Sequence, residues 1–161
     1  MPCFTAVGTL ARVNDQSEQP DEEPLDNAQD WVAEHTRRYV ASNGADGHLW
    51  NGVPTLVLTT RGRRSGRLRR NALIYGIDGD AFVVVASYGG APANPAWYSN
   101  LEADPEVTVQ VGADTFAARA RTASAAEKER LWPAMVSIWP DYDEYRHKTD
   151  RAIPVVLLER R

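Results

Sequence analysis

"VPTLVLTTRGRRSGRLRRNALIYG", residues 53–76, holds two strand-like runs joined by a basic loop, with six arginines between positions 61 and 70 and no acid among those positions. Val53–Thr60 is β-rich with a continuous apolar middle, the pattern of a central strand. Leu68–Gly76 alternates enough to be its partner. Gly62 and Gly66 permit the tight turns between the two. By itself the loop admits three meanings: a solvated hairpin, a nucleic-acid-binding loop, or a clamp for a small polyanion.

The flanking sequence supplies more hairpins. Asp78-Gly79 is turn chemistry, and "FVVVAS" (82–87) is the returning strand. Residues 106–111 and 115–122 read as another pair, and "AIPVVLLER" ends the chain as a strand. Helices fall between them. One, capped by Asp26 or Asn27, runs to about Ser42 and brings Trp31, His35, Tyr39 and Val40 near one face. A second starts with Asn94 as cap and Pro95 at its first position. Ser124 and Glu127 form a capping box for a third, which Pro133 is expected to kink or divide. Asp141 caps a last short helix through Lys148. Five or six mostly antiparallel strands, with inserted helices and no βαβ alternation, predict an α+β fold on a small antiparallel barrel.

Length and composition fit one ordinary domain: 161 residues, 43% hydrophobic and 25% charged. The net charge of −4 is unevenly spread, because residues 1–30 carry seven acids against one base, and the rest of the chain has 17 bases and 15 acids. An acidic, proline-bearing stretch buries too little apolar surface to offset its ordering entropy. Residues 1–26 are therefore expected to be a flexible tail, and 27–161 a single cofactor-binding domain. The start lacks the basic region of a signal peptide, and Cys3 is the one cysteine; both fit a cytoplasmic protein. No apolar run is long enough to span a membrane.

No dinucleotide, Walker, nucleophile-elbow or zinc-protease motif is present. His35, His48 and His147 are too scattered for a metal centre, so no metal is expected; His48 reads as structural, and Trp50 as a plug of the domain. Any hard chemistry then falls to a bound cofactor. Two stretches suit one. Arg63, Arg64, Ser65 and Arg69 offer guanidinium and loop N–H groups to phosphate or carboxylate. Ser87-Tyr88-Gly89-Gly90, at a strand end, lets a planar ligand approach the main chain. Nucleic-acid binding is disfavoured, since the body is weakly basic and no aromatic residue is interleaved with the arginines.

In order, "TLVLTTRGRRSGRLRRNALIYG", "GDAFVVVASYGGAPANPAWYSNLEADPEVTVQVG" and "LWPAMVSIWPDYDEYRHKTDRAIPVVLLE" resemble the deazaflavin-dependent nitroreductase family of actinobacterial oxidoreductases, over about residues 31–160. The resemblance implies a split β-barrel of the FMN-binding type and coenzyme F-420, a deazaflavin with a phosphodiester and a polyglutamate tail. It implies that Arg63, Arg64, Ser65 and Arg69 hold the phosphate, with Asn71 and Ala72 beside the ring. Val85, Ala86 and Ser87 would line the ring, Tyr88, Gly89 and Gly90 would pass the phosphate end, and Ala96 and Trp97 would complete the pocket. Ile74, Trp139, Tyr142 and Tyr145 match the substrate side. Tyr88 replaces a lysine common in relatives, Asn71-Ala72 lacks a frequent following proline, and Ile74 stands where some relatives carry tyrosine.

The implied reaction is hydride transfer from the reduced deazaflavin to a small electron-poor acceptor: an activated alkene, a quinone or a nitro compound. Ser87 could polarise the acceptor oxygen, and Tyr142 or Tyr145 could position it or relay a proton. The alternatives are an FMN-binding reductase on the same barrel and a non-catalytic module for cofactor or nucleic acid. A quinone acceptor leaves room for peripheral membrane association, which an acidic start disfavours. Oligomeric state is not legible in the sequence.

Overall fold

The structure, a computed structural model, describes residues 22–161. Its strands are β1 (Leu49–Trp50), β2 (Val53–Arg61), β3 (Leu68–Ile74), β4 (Gly76–Asp78), β5 (Ala81–Val85), β6 (Glu106–Val111), β7 (Asp114–Thr122) and β8 (Val155–Arg160). The helices are α1 (Asp30–Ala41), α2 (Ala96–Ala103), α3 (Ala125–Ile138) and α4 (Asp141–Lys148), with a short 3-10 turn at Tyr88–Gly90. Every strand pair is antiparallel.

The pairing runs β3-β2-β6-β7-β8-β5-β4, with the two-residue β1 folded back on the start of β2. Its two ends, β3 and β4, are consecutive in the chain, with only Tyr75 between them. One bent segment therefore forms both edges, and the sheet must curl round on itself. The result is a split β-barrel, built by the 53–76 hairpin as its sequence predicts.

Alternation sorts the core into two layers. Val84 of β5 and Val156 and Leu158 of β8 point into the barrel, where they meet Leu56, Leu58, Val109 and Phe116. Their neighbours Val83, Val85, Val155 and Leu157 point outward and are covered by Leu131, Trp132 and Met135 of α3 and Tyr142 of α4. β5 and β8 read as unbroken apolar runs because both of their faces are buried. Gly76 allows α3 to come close: a Cβ there would lie 2.7 Å from Met135 Sδ.

Helix starts depart from expectation in instructive ways. α1 is capped at Gln29 without a side-chain bond; Asn27 Oδ1 instead accepts from Gln29 N at 2.7 Å, and Asp26 turns to Arg70. α2 begins at Ala96 with Pro95 as cap, because Asn94 Oδ1 is taken by Arg151 Nη1 at 2.8 Å. Pro140 rather than Asp141 caps α4. The Ser124–Glu127 capping box forms as expected, and α3 runs unbroken through Pro133.

Contacts to the barrel begin before residue 27. Leu25 N donates to Leu68 O, and Arg70 N donates to Leu25 O, so the chain is already laid against the free edge of β3. Glu22 accepts from Leu68 N at 2.8 Å and pairs with Arg61 at 2.7 Å. An edge strand with unpaired N–H and C=O groups recruits whatever backbone can reach it. Residues 1–21, most of the expected tail, lie outside the described residues.

Tyr39 ties α1 to the barrel. It is fully buried, its hydroxyl donating to Thr55 O and accepting from Gly112 N, each at 2.8 Å; burial raises its pKa above the ordinary phenol value. Tyr39→Phe keeps the ring and leaves both backbone groups unpaired. It is expected to lower unfolding free energy by about 1–3 kcal/mol, measured by urea denaturation; an unchanged midpoint would contradict this role.

Candidate functional site

A cleft of about 640 Å³ opens between β3, α1, α2 and the α3–α4 junction. That volume lies in the range of small-molecule and cofactor pockets. Three groups of residues form it. Arg69, Asn71, Ala72 and Ile74 come from β3. Val85, Ser87, Tyr88, Gly89, Ala96 and Trp97 come from the end of β5, the 3-10 turn and α2. An aromatic wall of Trp31, Trp50, Trp139, Tyr142 and Tyr145 closes the far side. Trp50 sits between Trp31 and Trp139, with ring centroids 5.8 and 5.1 Å away. It plugs the cleft wall rather than the barrel.

Some residues expected at the site stand elsewhere. Arg63, Arg64 and Ser65 occupy the exposed β2–β3 turn, outside the cleft lining. Ser65 Oγ accepts from Arg67 N and steadies the turn. Ala86 faces the barrel interior and is fully buried there. Gly90 turns from the cleft toward α4: at φ +82° a Cβ would meet Tyr145 O at 2.9 Å. Its missing side chain serves helix packing, whereas Gly89, with no atom within 4 Å of its Cβ position, borders open space.

The arginine loop divides by charge. Arg61 pairs with Glu22, and Arg70 with Asp26 at 2.6 Å. Hydrogen bonds from Leu68 N and Arg61 hold the Glu22 carboxyl below its ordinary pKa. Among the described residues, Arg63, Arg64, Arg67 and Arg69 form no ion pair. Among the described residues, the acidic segment thus pairs Arg61 and Arg70 and leaves the arginines of the turn without an acid partner.

Two positioning residues escaped the sequence reading. Asn100, buried on α2 three residues after Trp97, accepts from Arg63 N at 3.1 Å and donates to Thr60 Oγ1 at 3.2 Å. A polar residue on an otherwise apolar helix face is the signal that could have found it. Arg151 donates to Ala86 O, Ser87 O, Ala91 O and Asn94 Oδ1 at 2.6–3.3 Å. It fixes the whole loop from the end of β5 to the start of α2. The partners lie about 60 residues away in sequence, and no local pattern announces them.

Ser87 and Tyr142 are buried, yet neither hydroxyl has a hydrogen-bond partner among the described residues. No buried side-chain oxygen or nitrogen among those residues is sealed off without one. Both hydroxyls therefore reach open space, and the open space that both residues border is the cleft. Burial raises the Tyr142 pKa well above the ordinary phenol value, so it stays a neutral donor. Tyr88 holds the cleft rim at φ +48°, an uncommon conformation for a residue with a side chain.

Residues 31–160 match the family model described as F-420H(2)-dependent quinone reductase. The chain belongs to that family. It is 39% identical over 131 residues to an F-420H(2)-dependent quinone reductase of Mycobacterium tuberculosis, covering 79% of this chain and 88% of the relative. A putative F-420H(2)-dependent quinone reductase of the same species is 42% identical over 109 residues, 68% of this chain and 92% of that one. The solved structure of an F-420-H2 dependent reductase is 39% identical with a TM-score of 0.61, covering 66% of this chain and 94% of the other. A structure described as a domain-swapped dimer is 38% identical with a TM-score of 0.63, covering 81% and 98%. HutZ of Vibrio cholerae, 16% identical with a TM-score of 0.54 over 66% of this chain and 81% of its own, shares the fold alone.

Arg151→Ala should cost about 2–3 kcal/mol in urea denaturation, because it frees several partly buried carbonyl oxygens at once. It should also weaken coenzyme F-420 binding, while Arg151→Lys, which keeps the charge without the planar fork, restores only part of either. Wild-type stability and affinity in the alanine variant would contradict the clamp.

Proposed function

We propose that this protein binds coenzyme F-420 and passes a hydride from its reduced form to a quinone, with activated alkenes and nitro compounds as further acceptors. The observation that carries the reading is the layout of the cleft: cationic at Arg69, lined by small residues at Ala72, Val85, Gly89 and Ala96, and aromatic at Trp31, Trp50 and Trp139. An anionic tail, a planar ring and an apolar acceptor would fit those zones in that order.

The donor set suits the cofactor. Arg69 would meet the phosphate, and a polyglutamate tail leaving the cleft would run onto Arg63, Arg64 and the backbone of Ser65. Their exposed position suits a flexible polyanion better than a buried ring. Asn71 Oδ1 is occupied by Asn27 Nδ2 at 2.7 Å, which leaves the Asn71 amide hydrogens for a ring carbonyl. Val85, Ala72, Ala96 and Trp97 would bound the ring. The bound deazaflavin supplies two electrons as a hydride.

The protein's share is alignment and polarisation. Ser87 Oγ would donate to an acceptor oxygen as charge develops there, its main chain held rigid by Arg151 Nη2 on Ser87 O at 2.6 Å. Tyr142, kept neutral by burial, would donate a second hydrogen bond, and Tyr145 would bound the acceptor beside Trp139. An FMN-binding alternative offers the same ring and phosphate, but one phosphate leaves most of the turn's unpaired arginines without work.

Fluorescence titration of the purified protein with coenzyme F-420 and with FMN tests this. F-420 should bind the tighter, and Arg63→Ala/Arg64→Ala should weaken it roughly 10–100-fold, one to two charge-assisted contacts. Preference for FMN, or unchanged affinity in the variant, would reject the assignment. Ser87→Ala and Tyr142→Phe should each lower kcat for menadione by about tenfold or more, with little change in cofactor affinity. Tight F-420 binding without turnover of any quinone, enone or nitro compound would make the protein a cofactor carrier instead.

A further inference from the structure

A third polar group opens into the cleft and has no part in the reading so far. His35 of α1 is only 6% exposed and lines the cleft beside Trp31 and Trp50. Its Nε2 lies 2.6 Å from Gly47 O, which also accepts from Thr55 Oγ1 at 2.7 Å. A carbonyl oxygen can only accept, so Nε2 carries a proton in either charge state. Nδ1 has no partner among the described residues, and no buried side-chain nitrogen there is sealed off without one. His35 borders the cleft, and with Nε2 held by Gly47 O, any second proton on the ring sits on Nδ1.

We infer that His35 delivers the proton that completes acceptor reduction, in a subsite walled by Trp31, Trp50 and Trp139. The inference rests on the hydride-transfer reading and adds what that reading lacks, an acid. Conversion of a quinone to a hydroquinone takes one hydride, with its electron pair, and one proton. The hydride's hydrogen ends on one carbonyl oxygen of the quinone, its electron pair turns the other C=O π bond into a C–O single bond, and that second oxygen takes the Nδ1 proton of the imidazolium. Neutral imidazole remains, with its proton on Nε2, and solvent at the cleft mouth restores the other. The oxidised cofactor has lost only the hydride.

The other cleft groups serve this step less well. Tyr142 is held neutral by burial and keeps its proton, and the Ser87 hydroxyl is a far weaker acid than an imidazolium. The charged and titratable groups around His35 are Tyr39 and His48 behind it, and, around the cleft, Arg69, the Arg70–Asp26 pair, Tyr142 and Tyr145. Asp26 is already matched by Arg70, and the imidazole is the group on the cleft side that can carry a second, transferable proton. The indole wall, with Trp31 and Trp50 within 20° of parallel, offers apolar surface to a flat ring and strengthens a hydrogen bond made against it.

Menadione binding to the cofactor-free protein, followed by tryptophan fluorescence quenching from about pH 5.5 to about pH 8.5, tests the contact without turnover. Wild type should bind about tenfold more tightly at the acid end, where the imidazolium donates to the quinone oxygen. His35→Gln keeps an amide donor for Gly47 O but has no titratable nitrogen, and its binding should not vary with pH. In the F-420-loaded enzyme, kcat for menadione should fall with rising pH in wild type only, with KM changing less. Imidazole ¹⁵N resonances of wild type give an arm free of any folding defect: menadione should shift Nδ1 and leave Nε2. Equal pH profiles in wild type and His35→Gln, or no shift at Nδ1, would overturn the proposal. Failure to bind F-420 would show in the separate titration and would sink the hydride reading, leaving the menadione contact to be judged by itself.

Discussion

A single residue, Tyr75, separates the two strands that edge a seven-strand sheet. That covalent constraint curls the sheet, and the rest of the molecule follows from it. β3 keeps one edge without a strand partner, and the cleft lies along it. The same edge draws Leu25 into backbone hydrogen bonds, so the acidic segment becomes part of the site wall. Closing the barrel and opening the cleft are one event.

Electrostatics then partitions the basic loop. Six arginines within ten residues repel one another, and the fold offsets this unevenly. Glu22 and Asp26 dock beside the strands and take Arg61 and Arg70. Among the described residues the turn has no acid partner, and its main chain is pinned through Arg63 N on Asn100. A rigid backbone carrying unpaired guanidinium groups binds a polyanion at less entropic cost than a loose loop would. At the other side of the cleft, Arg151 does for the Ser87–Asn94 loop what Asn100 does for the turn: a side chain hydrogen-bonded to the main chain converts irregular chain into a fixed surface.

Much of this was legible in the sequence. The hairpins, the antiparallel barrel, the capping box and the cleft-lining Asn71, Ala72, Val85, Ser87, Ala96 and Trp97 follow from period-two apolar patterning, turn residues and family resemblance. Helix starts were less legible. Asn94 and Asp26 have cap chemistry, but a guanidinium from another part of the chain outcompetes a backbone N–H for each carbonyl or carboxylate oxygen. Ala86 and Gly90 sit beside cleft residues in sequence and face away from it, because strand alternation and the packing of α4 set their directions.

The amino-acid sequence by itself determined most of the strands and helices and the hairpin pairings, since those depend on local periodicity and turn chemistry, and it left the basic loop open among three meanings. Only the tertiary structure decided which arginines pair with Glu22 and Asp26, and that α1, with His35, and Trp50 line the cleft. Each of these depends on groups brought together from distant parts of the chain, where distance and burial, rather than residue type, decide which hydrogen bonds are made.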